Sequence, residues 1–135
     1  MTNRPPAVLI VAIFLYFATA MAALVGTCLL FPSPLDDWLW KLNPAASEVF
    51  RAHRIALGTF LLTLAIATFA AARGLLKGRR WAWWFTVVLF CVNLSGDLIS
   101  FLLTRDLTRS GTGVMVAAAF LFTLTQPRVR AFFKL

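Results

Sequence analysis

Hydrophobic residues fall in long runs along this chain, and the polar residues punctuate them. After the lead Met1–Pro6 the chain is apolar over 7–31, then again over 55–72 and 81–104. A fourth run has its apolar centre at 111–125 and reaches about 109–126 by borrowing from Thr108–Ser110 and Gln126 at its ends. A helix needs about 20 apolar residues to cross the hydrocarbon of a bilayer. The first three runs meet that need, and the short fourth would thin the bilayer locally. The pattern predicts an all-α integral membrane protein: one transmembrane domain over 1–135, a four-helix bundle running up-down-up-down, an outer loop at 32–54 and a tail at 127–135.

The loop and tail carry their own signals. Asn43 and Pro44 read as an N-cap and first helical residue, the start of a helix that continues through Arg51–Arg54 into the second run. Ahead of it, 35–42 is expected to lie flat on the membrane with Trp38 and Trp40 inserted. The tail alternates basic and apolar residues, as a surface anchor would. Arg4 and the Ala-x-Ala patterns at Ala18–Ala20 and Ala20–Ala22 resemble a signal peptide. The apolar run continues to Phe31, however, about twice the length of a typical signal-peptide core, which favours a retained span.

Composition narrows the class. The chain is 61% hydrophobic and only 13% charged, so lipid must cover surface that a small core cannot hide. Thirteen basic residues against five acidic ones give a net charge of +8. In a soluble domain that excess would point to nucleic acid. Here the cations gather at the ends of apolar runs, which points instead to membrane orientation and to anionic lipids on the cytoplasmic side. Arg4, Arg73, Lys77, Arg79, Arg80, Arg128, Arg130 and Lys134 fall on one side of the expected topology. Lys41, Arg51, Arg54, Arg105 and Arg109 fall on the other, with every acidic residue except Asp97. Eight cations against five place both termini in the cytoplasm. Tryptophan prefers headgroup level, so Trp81, Trp83 and Trp84 mark the inner interface, and Trp38 and Trp40 the outer one. Ten arginines to three lysines suggest a prokaryotic plasma membrane.

Candidate chemistry centres on Asp97, the one charge between Arg80 and Arg105. A carboxylate in hydrocarbon must be paired, solvated or protonated, so it marks a site by default. Thr86, Asn93, Asp97, Ser100 and Thr104 share one helical face, with Ser95 and Gly96 beside it. Such a stripe must face protein or water, in the middle of the bundle or at an oligomer interface. Arg54, with His53 beside it, is the expected partner of Asp97, because arginine can snorkel inward. Arg51 and Arg109 are reserves. Two readings stay open: a static Asp97–Arg54 pair, or an Asp97 that takes up protons or ligand.

Small residues recur every fourth position at Ala18, Ala22 and Gly26, at Thr59, Thr63, Ala67 and Ala71, and at Gly113 and Ala117. Small-xxx-small faces let helix backbones approach closely. Cys28 and Cys91 lie inside apolar runs and form no metal or dithiol motif. No phosphate loop, HExxH or GxSxG motif occurs, so no catalytic residue, metal or cofactor is expected. The leading expectation is a structural or accessory subunit acting through helix packing, as a homo-oligomer or within a larger membrane complex, with no nucleic acid bound. The alternatives are a proton- or solute-conducting component built on Asp97 and Asn93, and an enzyme or binding protein for an apolar, lipid-like ligand.

Overall fold

Two prolines and a charge-free stretch set the first helix. In the computed structural model, which describes residues 4–42, 48, 50–104 and 110–135, α1 spans Pro6–Leu30. Pro6 occupies a first-turn position, where its missing N–H costs nothing. The helix stops ahead of Pro32 and Pro34. Pro34 in turn opens α2, Pro34–Leu42. The remaining helices are α3 at Arg54–Leu76, α4 at Arg80–Thr104, α5 at Ser110–Thr125 and α6 at Pro127–Phe132. No strand occurs among the described residues. The expected cap at Asn43–Pro44 lies outside them, as do Arg105, Asp106 and Arg109.

α1, α3 and α4 are long and apolar enough to cross a membrane. At 1.5 Å per residue, the 25 residues of α1 or α4 extend about 37 Å, more than the ~30 Å hydrocarbon thickness. α5 has 16 residues, about 24 Å. Only 22%, 28% and 11% of the most apolar stretches of α1, α3 and α4 is buried. Their outward faces are apolar too. On α1, Ile10, Ile13, Phe17, Met21 and Leu24 are exposed at helical spacing, while Val8, Val11, Ala12 and Leu15 are buried at the same spacing on another face. A helix that is apolar all round suits a chain with protein on one side and lipid on the other.

The chain divides into two compact units, Met1–Phe14 with Ala70–Leu135, and Leu15–Phe69. In the second unit, α1 and α3 cross where glycines remove the side chains. A Cβ on Gly26 would stand 3.1 Å from the Gly58 carbonyl oxygen, and a Cβ on Gly58 would stand 2.9 Å from Leu30 Cγ. Farther along the same pair, the Thr19 and Thr68 hydroxyl oxygens lie 2.8 Å apart. One donates to the other, and the hydroxyl that accepts gives its own proton to the carbonyl oxygen four residues back, Leu15 for Thr19 or Leu64 for Thr68. The buried residues of α3 are Gly58, Ala65, Thr68, Ala71, Ala72, Gly74 and Leu75. Thr59 and Thr63 are exposed and bonded to their own helix, and Ala67 is half-buried. α2 folds toward the segment before α3: the Trp40 and Phe50 rings are 5.5 Å apart, and Arg51 donates to Asp37 at 3.2 Å. Both charged groups are largely exposed, so the pair adds little stability. Trp38 is exposed.

In the first unit, tight turns bring consecutive helices together. α3 ends in a Schellman motif, with Arg79 N–H donating to Gly74 C=O and Gly78 N–H to Leu75 C=O. Gly78 takes the left-handed conformation, φ 66°, which glycine adopts without cost. Beyond the turn, Ala82 crowds Gly74 so closely that a Cβ there would fall 2.6 Å from the Ala82 methyl. Trp83 is buried, and its indole N–H donates to the Leu124 carbonyl oxygen at 3.0 Å, fastening the start of α4 to the end of α5. Trp81 and Trp84 are exposed.

Replacing Gly58 by valine forces the α1–α3 crossing apart. We expect a loss of about 1–3 kcal/mol, the usual cost of overpacking, seen as a lower thermal midpoint in detergent. Ile66→Ala, at an exposed position on the same helix, should leave the midpoint close to wild type.

Candidate functional site

α4 carries the polar stripe, and its residues meet different surroundings along the helix. Thr86 is fully buried, its hydroxyl donating to the Ala82 carbonyl oxygen at 2.7 Å. That bond satisfies the hydroxyl within the helix itself. One turn on, Phe90 is buried against Phe14 and Phe120, with ring centroids 5.9 and 5.1 Å away; Phe14 and Phe120 are 4.7 Å apart. The three rings join α1, α4 and α5 within the first unit. Past them the helix opens out. Asn93, Gly96 and Ser100 are exposed, and Asp97 is half-buried. Ser95, on another side of α4, bonds back to the Cys91 carbonyl oxygen.

Asp97 turns toward α5. Its carboxylate lies over the Cα of Gly113, where the Cβ of any other residue would overlap Oδ2 and Cγ. Glycine at 113 is thus the condition for this side-chain placement. The glycine hydrogen that occupies the Cβ direction points at the carboxylate, a weak Cα–H···O contact. Around it is a cleft of about 140 Å³, walled by Phe14, Phe90, Asn93, Asp97, Val116 and Ala117. Two polar side chains stand here on an otherwise apolar lining. Such a volume admits water, but it falls below the usual range of pockets for small organic ligands.

Among the described residues, neither the Asp97 carboxylate nor the Asn93 carboxamide has a hydrogen-bond partner. An ionised carboxyl pays heavily for leaving water unless charge or hydrogen bonds replace the solvent. A single Cα–H contact is far too weak for that. The site is therefore polar, half-open and unsatisfied among the described residues.

Arg54 and His53 stand at the head of α3, in the second unit, and both are exposed. The His53 carbonyl oxygen accepts from Leu57 N–H at 2.9 Å. Gly113 and Ala117, expected from spacing to serve helix packing, both line the Asp97 cleft. Ala18 and Ala22 are half-buried, and Gly26 is buried. The Thr104 side chain lies outside the described structure. Cys28 and Cys91 are free thiols, one buried and one exposed. Among the described residues no three potential metal ligands converge. The Phe14–Phe90–Phe120 cluster, Gly58 and the inward turn of Trp83 carry no signal in spacing alone, since each depends on which helices are neighbours. Comparison with protein families, characterised proteins and solved structures finds no match for this chain.

The Asp97–Gly113 contact is open to a double-mutant cycle. Gly113→Ala alone should cost about 1–3 kcal/mol, because the new methyl displaces the carboxylate. In the background of Asp97→Ala the same change should cost much less. A coupling above about 0.5 kcal/mol in thermal unfolding is expected for residues in contact. Additive losses would place Asp97 away from α5.

Proposed function

We propose that this chain is a small integral membrane subunit that works by packing its helices against another membrane-embedded helix, with the Asn93–Gly96–Ser100 edge of α4 as the contacting surface. One observation carries the reading. Among the described residues of the long helices, α4 alone holds a carboxylate and a carboxamide, yet it is the least buried of the three, at 11% of its apolar stretch. Lipid offers no hydrogen bonds to such groups. Beyond its own helical turn, Gly96 has no atom of the described residues within 4 Å of where a Cβ would stand, so a neighbouring backbone could approach closely. A second copy is the simplest partner, because a carboxamide both donates and accepts and so pairs with its own kind.

In the same reading α1, α3, α4 and α5 cross the membrane up-down-up-down, with both termini cytoplasmic. The cleft shared by Arg4, Lys77, Arg80 and Lys134 supports an even number of crossings. It gathers the amino-terminal segment, the α3–α4 turn and the carboxy-terminal segment at one end of the first unit. A conducting role draws less support. The three phenylalanine rings beside the cleft offer a proton or solute no polar lining toward the α3–α4 turn. The small cleft volume likewise favours packing over a lipid-like ligand.

Cysteine cross-linking in native membranes tests the proposal. In a background of Cys28→Ser and Cys91→Ser, Gly96→Cys should form a covalent dimer on mild oxidation. Leu98→Cys, on another side of α4, should not. Adding Asn93→Leu should lower the Gly96→Cys dimer yield severalfold. Equal yields at 96 and 98, or none at 96, would contradict pairing between copies through this edge.

A further inference from the structure

Away from Asp97, the largest concentration of charge lies at the opposite end of the first unit. Two Schellman motifs build it. The first, at Gly78, ends α3 and turns the chain into α4. The second ends α6: Leu135 N–H donates to Arg130 C=O, and Lys134 N–H to Ala131 C=O. In this second motif the left-handed position is filled by Lys134, φ 54°. Glycine is the usual residue there, and a lysine held in that conformation is strained. Strained backbone of this kind tends to collect at ligand sites.

The two turns face each other across a cleft of about 490 Å³. Four cations line it: Arg4 from the amino-terminal segment, Lys77 and Arg80 from the α3–α4 turn, and Lys134 from the end of α6. No aspartate or glutamate lines the cleft, and none of the four cations is in an ion pair among the described residues. Four like charges around one cavity repel each other unless an anion sits between them. The rest of the lining is apolar, with Leu76, Phe132 and Phe133. Phe133 is buried, together with Val129, so α6 is seated rather than loose. Trp81 and Trp84, exposed on the first turns of α4, suit headgroup level.

We propose that this cleft is a binding site for a phosphate anion, the headgroup of an anionic phospholipid. Arg4 and Arg80 supply planar guanidinium forks, which match phosphate oxygens in pairs, and Lys77 and Lys134 act as point charges. The apolar walls favour a lipid over free phosphate, because Leu76 and the phenylalanine rings give the glycerol and first acyl carbons a surface to cover. The inference rests on reading the chain as membrane-embedded. It does not depend on what α4 contacts.

Native mass spectrometry of the full chain released from detergent tests it. The protein is incubated with phosphatidylglycerol, phosphatidic acid or phosphatidylcholine, each with and without excess inorganic phosphate. Wild type should retain one anionic lipid at least fivefold more often than phosphatidylcholine. Lys134→Gly is the sharpest variant, since it removes the charge and also relieves the turn, so it should fold at least as well as wild type. It and the double variant Lys77→Gln with Arg80→Gln should lose the anionic preference. Arg79→Gln and Arg128→Gln, which remove cations outside the cleft, should keep it. Equal retention in wild type and Lys134→Gly would overturn the site, as would loss of preference in every variant, controls included. Displacement of the lipid by the excess inorganic phosphate would overturn the lipid assignment in favour of a soluble phosphate.

Discussion

Hydrocarbon forms no hydrogen bonds, and the arrangement of polar groups in this chain follows from that single constraint. Most polar side chains described on its long apolar helices meet the constraint locally. Thr27, Thr59, Thr63 and Thr86 each donate to the carbonyl oxygen four residues back, and the Thr19–Thr68 pair uses one such bond and one between helices. Trp83 finds Leu124 across the α4–α5 interface. A carboxylate has no donor and cannot use a carbonyl in this way. Asp97 therefore depends on a donor from a side chain, and among the described residues neither it nor Asn93, one turn away, has a partner. The proposed contact along α4 follows from these two side chains more than from the general apolarity of the fold.

Glycine supplies the complementary half of the architecture. Where helices in lipid lack a hydrophobic force to drive them together, close packing takes over. Gly26 and Gly58 bring α1 and α3 to backbone contact. Gly74 receives the methyl of Ala82. Gly113 receives not a neighbouring backbone but a charged side chain, and so it belongs to the polar site as much as Asp97 does. Gly96 is the exception, since the space over it is open, and that opening lies on the same edge as Asn93.

The spans were readable in the sequence because length and apolarity alone define them, and the helices at Pro6–Leu30, Arg54–Leu76 and Arg80–Thr104 follow the expected runs to within a few residues. Asp97 stood out as a candidate site because a lone charge in such a run is costly wherever it points. Its neighbour was not. Gly113 stood out only as half of a small-residue pair, and periodicity on one helix does not say which side chain will enter the gap on another. The basic residues near the termini and the α3–α4 turn were readable as a group sharing one side. Their convergence into one cleft depends on two turns, and the left-handed Lys134 leaves no mark in composition or spacing. Trp83 shows the same limit. Next to Trp81 and Trp84 it reads as a third interface anchor, yet its position on the helix turns it inward to Leu124.

The central claim is that the Asn93–Gly96–Ser100 edge of α4 is covered by protein in the membrane. Power-saturation electron paramagnetic resonance measures this directly, with a nitroxide attached at Gly96→Cys or at Leu98→Cys in reconstituted bilayers. Oxygen dissolves in hydrocarbon and relaxes labels that face lipid, whereas a label held against another helix is shielded. The account predicts low oxygen accessibility at 96, low accessibility to a water-soluble nickel relaxant at the same position, and high oxygen accessibility at 98. Oxygen accessibility at 96 equal to that at 98 would contradict it.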